Sequence, residues 1–289
     1  MRFKYLNRPL LILIAAVILM VASRLTPAAK PISHDILYRD RVVVLLYHDF
    51  KSLENGTAIS AQRLDSHFRQ LEAHGFNVVS LDQAAGLVTG KNKVPVNAIA
   101  ITMDDGYASN YTVAYPRLKE RGWPATIFLT VSNVGRKEGK RAHSRWLTWE
   151  QILEMHKNDI SFGAHTYNGH FFTTDAEDRQ LPWLLAKLPA ETEQAYMQRI
   201  NADFYQSQAI LENKLGGQPR HFAAPFGMYN DMIAGIAGRN GYVYCWSTEH
   251  LPIKNQASLS KMGRISVGIR GTTGEQLIKM ILATAQSDQ

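Results

Sequence analysis

Only one cysteine, Cys245, occurs in the chain, so no intrachain disulfide can form and stability must come from a packed core. Cys245 lies in an apolar, strand-like run and reads as a small core residue. Internal repeats and low-complexity tracts are absent, which excludes solenoid and fibrous folds. Also missing is a dense Lys/Arg stripe interleaved with aromatics. At a formal charge of +7, nucleic acid would otherwise be the first partner to consider. Without that stripe it is set aside, and the basic balance points to anionic cell-surface polymers or a membrane surface. The N-terminal apolar run, Pro9–Ala22, falls short of the ~20 residues that span a bilayer comfortably. It follows Arg2, Lys4 and Arg8 and precedes Arg24, which is the layout of an export signal. Residues 1–24 are therefore expected to be a signal peptide or a signal anchor, with Val21-Ala22-Ser23 as a weak cleavage site. No cysteine lies nearby, so a lipoprotein anchor is excluded. The expected location is the cell surface, periplasm or extracellular space.

What remains is an ordinary globular composition, 45% apolar over 289 residues, enough to bury a sizeable core. After a linker over residues 25–40, strand and helix patterns alternate through residues 41–289. Val42–Tyr47, Ala98–Thr102, Ala125–Thr130, Ile160–Ala164, Phe222–Ala224 and Tyr242–Cys245 read as buried strands. Ser60 is placed to cap a helix through Leu64, Phe68 and Leu71, and Thr148 with Gln151 forms a capping-box pair. Further helices are expected at Leu81–Val88, Asn110–Arg121, Asp231–Arg239 and about 275–284. Such alternation implies βα units on a parallel sheet, and six or seven units fit a barrel whose strand C-termini share one mouth. Residues 171–218 break the rhythm and are expected to form an insertion over that mouth.

The chemistry gathers at strand ends. Ala98-Ile99-Ala100-Ile101-Thr102 runs into Asp104-Asp105-Gly106, and Ser161-Phe162-Gly163-Ala164 runs into His165 and His170. One carboxylate with two histidines is a ligand set for a catalytic divalent metal, so Asp105, His165 and His170 are the candidate ligands. Asp104 is left to act as general base on a water made acidic by the metal, the plainer alternative being a supporting or capping role. His48, after Tyr47 at the first strand's end, is either a packed core histidine or the general acid, with Asp49 orienting it or simply solvated. The turn Ala224-Pro225-Phe226-Gly227 could aim the Phe226 N–H at a developing oxyanion, with Pro225 stiffening it. Trp246 is either core or the wall of a small acyl pocket.

These segments resemble the NodB-homology polysaccharide deacetylases, carbohydrate esterase family 4, over roughly Val42 to Thr284. Thr102-Met103-Asp104-Asp105-Gly106 is similar to the family's Thr-Phe-Asp-Asp-Gly motif, and His165-Thr166-Tyr167-Asn168-Gly169-His170 to its His-Ser/Thr-x-x-His motif with one extra residue. The resemblance implies a distorted (β/α)7 barrel of the α/β class. It also implies hydrolysis of N-acetyl groups on an amino-sugar polysaccharide with a divalent metal: zinc first, with cobalt, nickel or iron as alternatives. Two family features are missing. The arginine that orients the catalytic aspartate falls at Ala223, and Arg264-Ile265-Ser266-Val267 lacks the family's catalytic histidine. The biofilm poly-β-1,6-N-acetylglucosamine deacetylases resemble this chain in the five-residue histidine spacing, the Ala-x-Pro-Tyr/Phe-Gly turn and the strand-end Tyr-His. By that resemblance His48 takes the acid role. The alternatives are the same chemistry on peptidoglycan or chitin-type oligomers, or a carbohydrate-binding protein that has lost catalysis.

Overall fold

The β-branched run Arg41–Tyr47 forms strand β1 and is buried along almost its whole length. In the computed structural model, which describes residues 35–136, 145–255 and 258–287, six more strands run parallel to it. They are β2 (Ala98–Met103), β3 (Ala125–Leu129), β4 (Ile160–Ala164), β5 (His221–Ala223), β6 (Tyr244–Trp246) and β7 (Ile265–Ser266). Their spatial order is β6-β5-β4-β3-β2-β1-β7. Residues 259–267 bond first to β6, through Cys245 N–H to Leu259 O (3.0 Å) and Ser247 N–H to Met262 O (2.8 Å), and then to β1, through Val267 N–H to Leu46 O (3.1 Å). The curled sheet is thereby joined across its seam, as a (β/α)7 barrel of the α/β class requires. The expected signal segment and most of the linker lie outside the described residues.

Helices α1 (Ala61–Ala73) and α2 (Leu81–Val88) both link β1 to β2. One helix each, α3 (Tyr115–Arg121), α4 (Trp149–His156), α5 (Glu193–Leu215) and α6 (Asp231–Arg239), links the next strands through β6, and α7 (Gly274–Gln286) follows β7. Their starts are set locally: Ser60 accepts the Arg63 N–H, and Thr148 and Gln151 bond reciprocally. The expected helix 110–121 begins instead with one π-helical turn, Asn110–Ala114, before α3. None of the helices among the described residues is long and apolar enough to cross a membrane.

Period-two alternation divides each strand between two cores. Val43, Leu45, Ile99, Ile101, Ile127, Leu129, Phe162, Phe222 and Cys245 face the helices. Val42, Val44, Ala98, Ala100, Phe128, Ala223, Tyr244 and Trp246 form the inner cluster, to which α2 adds Leu81, Ala84 and Leu87. The inner face is tight. A Cβ on Gly163 would lie 2.7 Å from both the His221 carbonyl oxygen and the Phe128 ring, so only glycine fits there. The same alternation puts Thr102 on the inner side and, extended beyond the strand ends, assigns Asp104, His165 and Arg264 there too.

The expected insertion over residues 171–218 is corrected. Only the hairpin of Phe172–Thr174 and Gln180–Pro182 with its flanks departs from the βα pattern. Helix α5 is the crossover between the adjacent strands β4 and β5, packed beside α4 and α6. Its apolar periodicity is masked because its buried face carries Asp203, Ser207 and Gln208. Asp203 is partnered by backbone N–H groups, Ser207 by the Tyr242 hydroxyl, and Gln208 Nε2 by the Pro219 carbonyl, while Gln208 Oε1 has no hydrogen-bond partner among the described residues.

Candidate active site

The acid pair splits at the end of β2. Asp104 prolongs the strand, donating its N–H to Tyr47 O at 3.0 Å, so its side chain follows Thr102 to the inner face. Asp105 and Gly106 then adopt left-handed backbone, with φ of 73° and 75°, and the chain turns away. Adjacent carboxylates thus meet different partners. Arg264, fully buried, grips Asp104 with both ends of its guanidinium, Nη1 to Oδ1 at 2.7 Å and Nη2 to Oδ2 at 2.8 Å. Its Nε donates to Ser247 O, and its Cζ lies 5.2 Å from the Phe128 ring centroid. Burial pushes the Asp104 carboxyl up, but the charge of Arg264, the charge of His165, the Arg264 hydrogen bonds and the charge of His48 outweigh it. The result is held at about 2.

His165 prolongs β4 in the same way, donating its N–H to Leu129 O at 2.8 Å. Its Nδ1 meets the Ala223 carbonyl at 2.7 Å and must carry the hydrogen there, leaving a lone pair on Nε2. Burial pushes this imidazole down to about 4, so it is neutral at neutral pH. Its Nε2 nonetheless faces a carboxylate oxygen, Asp105 Oδ1, at 3.6 Å, and His170 Nε2 lies 3.2 Å from the same oxygen. Two acceptors with no hydrogen between them repel unless a cation lies between. Ligands at about 2.0–2.2 Å from a tetrahedral zinc sit on the order of 3.4 Å apart, which matches these separations. The donor atoms of Asp105, His165 and His170 all lie within 4.8 Å of one another. Asp104 Oδ2 is farther from His165 Nε2, at 3.9 Å, and its oxygens are occupied by Arg264. The donor set therefore fits a divalent cation without Asp104. Beside it opens a cavity of about 330 Å³ lined by Asp105, Tyr107, Thr130, Asn133, Trp146 and His170, among others.

The sequence model of the polysaccharide deacetylases matches residues 91–245. The chain belongs to that family. It is similar to a solved de-N-acetylase from Aggregatibacter actinomycetemcomitans, with a TM-score of 0.75 and 26% identity over 83% of this chain and 100% of that one. It is 23% identical to the poly-beta-1,6-N-acetyl-D-glucosamine N-deacetylase of Staphylococcus epidermidis, over 89% of this chain and 92% of the relative. It is 24% identical to the enzyme of the same name from Escherichia coli K12, covering 80% of this chain and 37% of that protein's length. Chains of this family are hydrolases of the carbohydrate esterase 4 type, and the Asp-His-His cluster is a place where such a chain could hold its metal.

Other expected site residues of this deacetylase-family chain fall in different places. His48 is half-buried beyond β1, its Nδ1 enclosed and without a protein hydrogen-bond partner among the described residues. Its carbonyl is tied to Asn110 Nδ2 at 2.8 Å. Asp49 does not orient it, because its oxygens accept from Phe50 N–H, Ser109 Oγ and Lys51 Nζ. Pro225 is buried, while Phe226 is 38% exposed with φ of 60°. The Phe226 ring packs on His170 (4.6 Å between centroids) and on Phe172 (4.5 Å). Trp246 is corrected: it is not a pocket wall but a fully buried member of the inner cluster, donating Nε1–H to His221 Nδ1 at 3.1 Å. Its strand-end position is real, but alternation turns its indole into the packed barrel interior. Arg264 was missed as a partner of Asp104. The only trace of it in the sequence is a charged residue opening an apolar strand, Arg264-Ile265-Ser266-Val267, on the face that alternation turns inward.

Proposed function

We propose that this chain is a metal-dependent N-deacetylase of an amino-sugar polysaccharide, poly-β-1,6-N-acetylglucosamine being the substrate the named relatives favour. The observation that carries the reading is the asymmetry of the acid pair. Asp105 converges with His165 and His170, while Asp104 is kept ionised beside them and off the cluster. Asp105, His165 and His170 would hold a divalent cation, which when bound would polarise the acetyl carbonyl and lower the pKa of a water. Asp104 takes a proton from the attacking water as its oxygen bonds to the acetyl carbon. The Phe226 N–H is the candidate donor to the negative charge building on the acetyl oxygen. His48 protonates the sugar nitrogen as the carbon–nitrogen bond breaks, giving acetate and a free amine. Zinc is the metal this donor set suits best, and the chain acts outside the cytoplasmic membrane.

The test is acetate release from β-1,6- and β-1,4-linked N-acetylglucosamine oligomers and from peptidoglycan fragments. It is run with zinc, with chelator, and with chelator followed by zinc. Release on the β-1,6 oligomers, lost with chelator and restored by zinc, is the expected result. Preference for β-1,4 oligomers would reassign the substrate, and no release from any substrate with zinc present would overturn the catalytic reading. Replacing His48 by Ala is expected to lower turnover by about 10²–10⁴-fold, the range for a lost general acid, with zinc content unchanged. Unaltered turnover would remove His48 from the acid role.

A further inference from the structure

The two histidines of the cluster are joined by Thr166, Tyr167, Asn168 and Gly169, and this loop does not hold its own shape. Thr166 is in left-handed backbone at φ 73°, a conformation that a β-branched residue adopts only when its surroundings impose it. What imposes it comes mostly from other elements. The Thr166 and Tyr167 carbonyls accept the N–H groups of Val131 and Ser132, at 3.1 and 2.8 Å. The consecutive N–H groups of Tyr167 and Asn168 both point at one carboxylate, Asp203 on α5, with Oδ1 and Oδ2 each at 2.8 Å. Gly169 closes the loop by donating to Thr166 Oγ1, and a Cβ there would lie 2.6 Å from the Trp183 ring. His170 then arrives 3.2 Å from Asp105 Oδ1.

We infer that Asp203 is a positioning residue for the metal site: its buried carboxylate locks the Thr166–Gly169 loop so that His170 is held in ligating position. The inference rests on the metal-site reading above. A carboxylate is suited to this task because each oxygen takes one backbone N–H, and the shorter stem of Asp leaves it fewer rotamers than Glu. Its anchorage is rigid, since Asp203 sits on the buried face of a long helix packed against β4. Metal affinity commonly falls 10- to 100-fold when the groups that orient ligands are removed, and that is the size of effect expected here.

The experiment uses the whole protein and zinc alone, titrated against a chromophoric chelator, for wild type, Asp203→Asn, His170→Ala and the double variant. Asn keeps one acceptor but sets an amide N–H₂ against the second backbone N–H. The expected result is a 10- to 100-fold weaker zinc Kd in Asp203→Asn, with the circular dichroism of the metal-free protein unchanged. If Asp203 acts through His170, adding Asp203→Asn to His170→Ala costs no further affinity. The visible spectrum of the cobalt-loaded Asp203→Asn protein should also move towards that of cobalt-loaded His170→Ala. Wild-type zinc affinity in Asp203→Asn overturns the inference, as does an equal loss in both backgrounds. If Asp203→Asn does not fold, Asp203→Glu is read by the same criteria. Failure of both to fold makes Asp203 a folding residue and ends the proposal. If wild type itself binds no zinc, it is the metal-site reading that falls, a separate outcome.

Discussion

Replacing Asp104 by Asn is expected to lower turnover by about 10²–10⁴-fold while zinc content stays at the wild-type level. The two effects separate because Asp104, the proposed base, is not one of the donors that converge: the cluster is Asp105, His165 and His170. Asn keeps the shape and one acceptor for Arg264 but cannot take a proton from water at neutral pH. Its amide would also face a guanidinium that is fully buried, so a loss of folding stability should accompany the loss of rate. Removing one partner of a buried ion pair commonly costs about 3–5 kcal/mol. Turnover, zinc content and denaturant unfolding must therefore be measured together. Turnover within tenfold of wild type in a folded, zinc-loaded variant would show that Asp104 is not the base.

Replacing Arg264 by Met should be nearly as damaging, and by a route that pH exposes. Arg264 makes both of its terminal nitrogens available to Asp104 and reaches no water itself. Without it, burial, the leading influence on Asp104, is less opposed, and the carboxyl titrates higher than its present value of about 2. For catalysis, the base is then protonated over a wider acidic range, so the acid limb of kcat/KM moves to higher pH. For stability, the depressed native value means that the Asp104 contribution is fully present above the ordinary carboxylate range. It is lost as pH falls from about 4, the unfolded value, towards 2. Arg264→Met gives up this contribution and leaves a buried, unpaired carboxylate, a loss of about 3–5 kcal/mol. Because Asp104→Asn and Arg264→Met break the same pair, the double variant should be less destabilised than the sum of the two. An unmoved acid limb in Arg264→Met, or additive losses, would show that the guanidinium does not govern the base.

Much of this centre could be read in the sequence because its first layer is built from local patterns. An apolar strand ending in Asp104-Asp105-Gly106 and another ending in His165 carry their own evidence: strand alternation fixes which side each terminal residue takes, and parallel pairing brings strand ends to one rim. Helix starts were legible for the same reason, since Ser60 and Thr148 cap residues only three positions away. For Trp246 the strand end is legible but the choice between core and pocket wall is not, because proximity to the rim does not say whether a large side chain faces the mouth or the packed interior. The role of helix α5 as a crossover was not legible because polar residues occupy its buried face, and the partners of Asp203 and Ser207 are ones that no periodicity reveals.

The sequence by itself determined the alternating βα order, the acid pair and the two histidines that accompany it. It also showed that no arginine stands at position 223. Only the tertiary structure decided what replaces that arginine and what holds the histidines. Arg264 lies 160 positions from Asp104 and Asp203 some 35 from the loop it binds. Both contacts exist because the sheet curls until β7 lies beside β1 and because α5 packs back onto β4. A buried guanidinium or carboxylate is tolerated only where its partner is already in place. In a curled sheet those partners are supplied by closure, which is a property of the whole chain and of no segment within it.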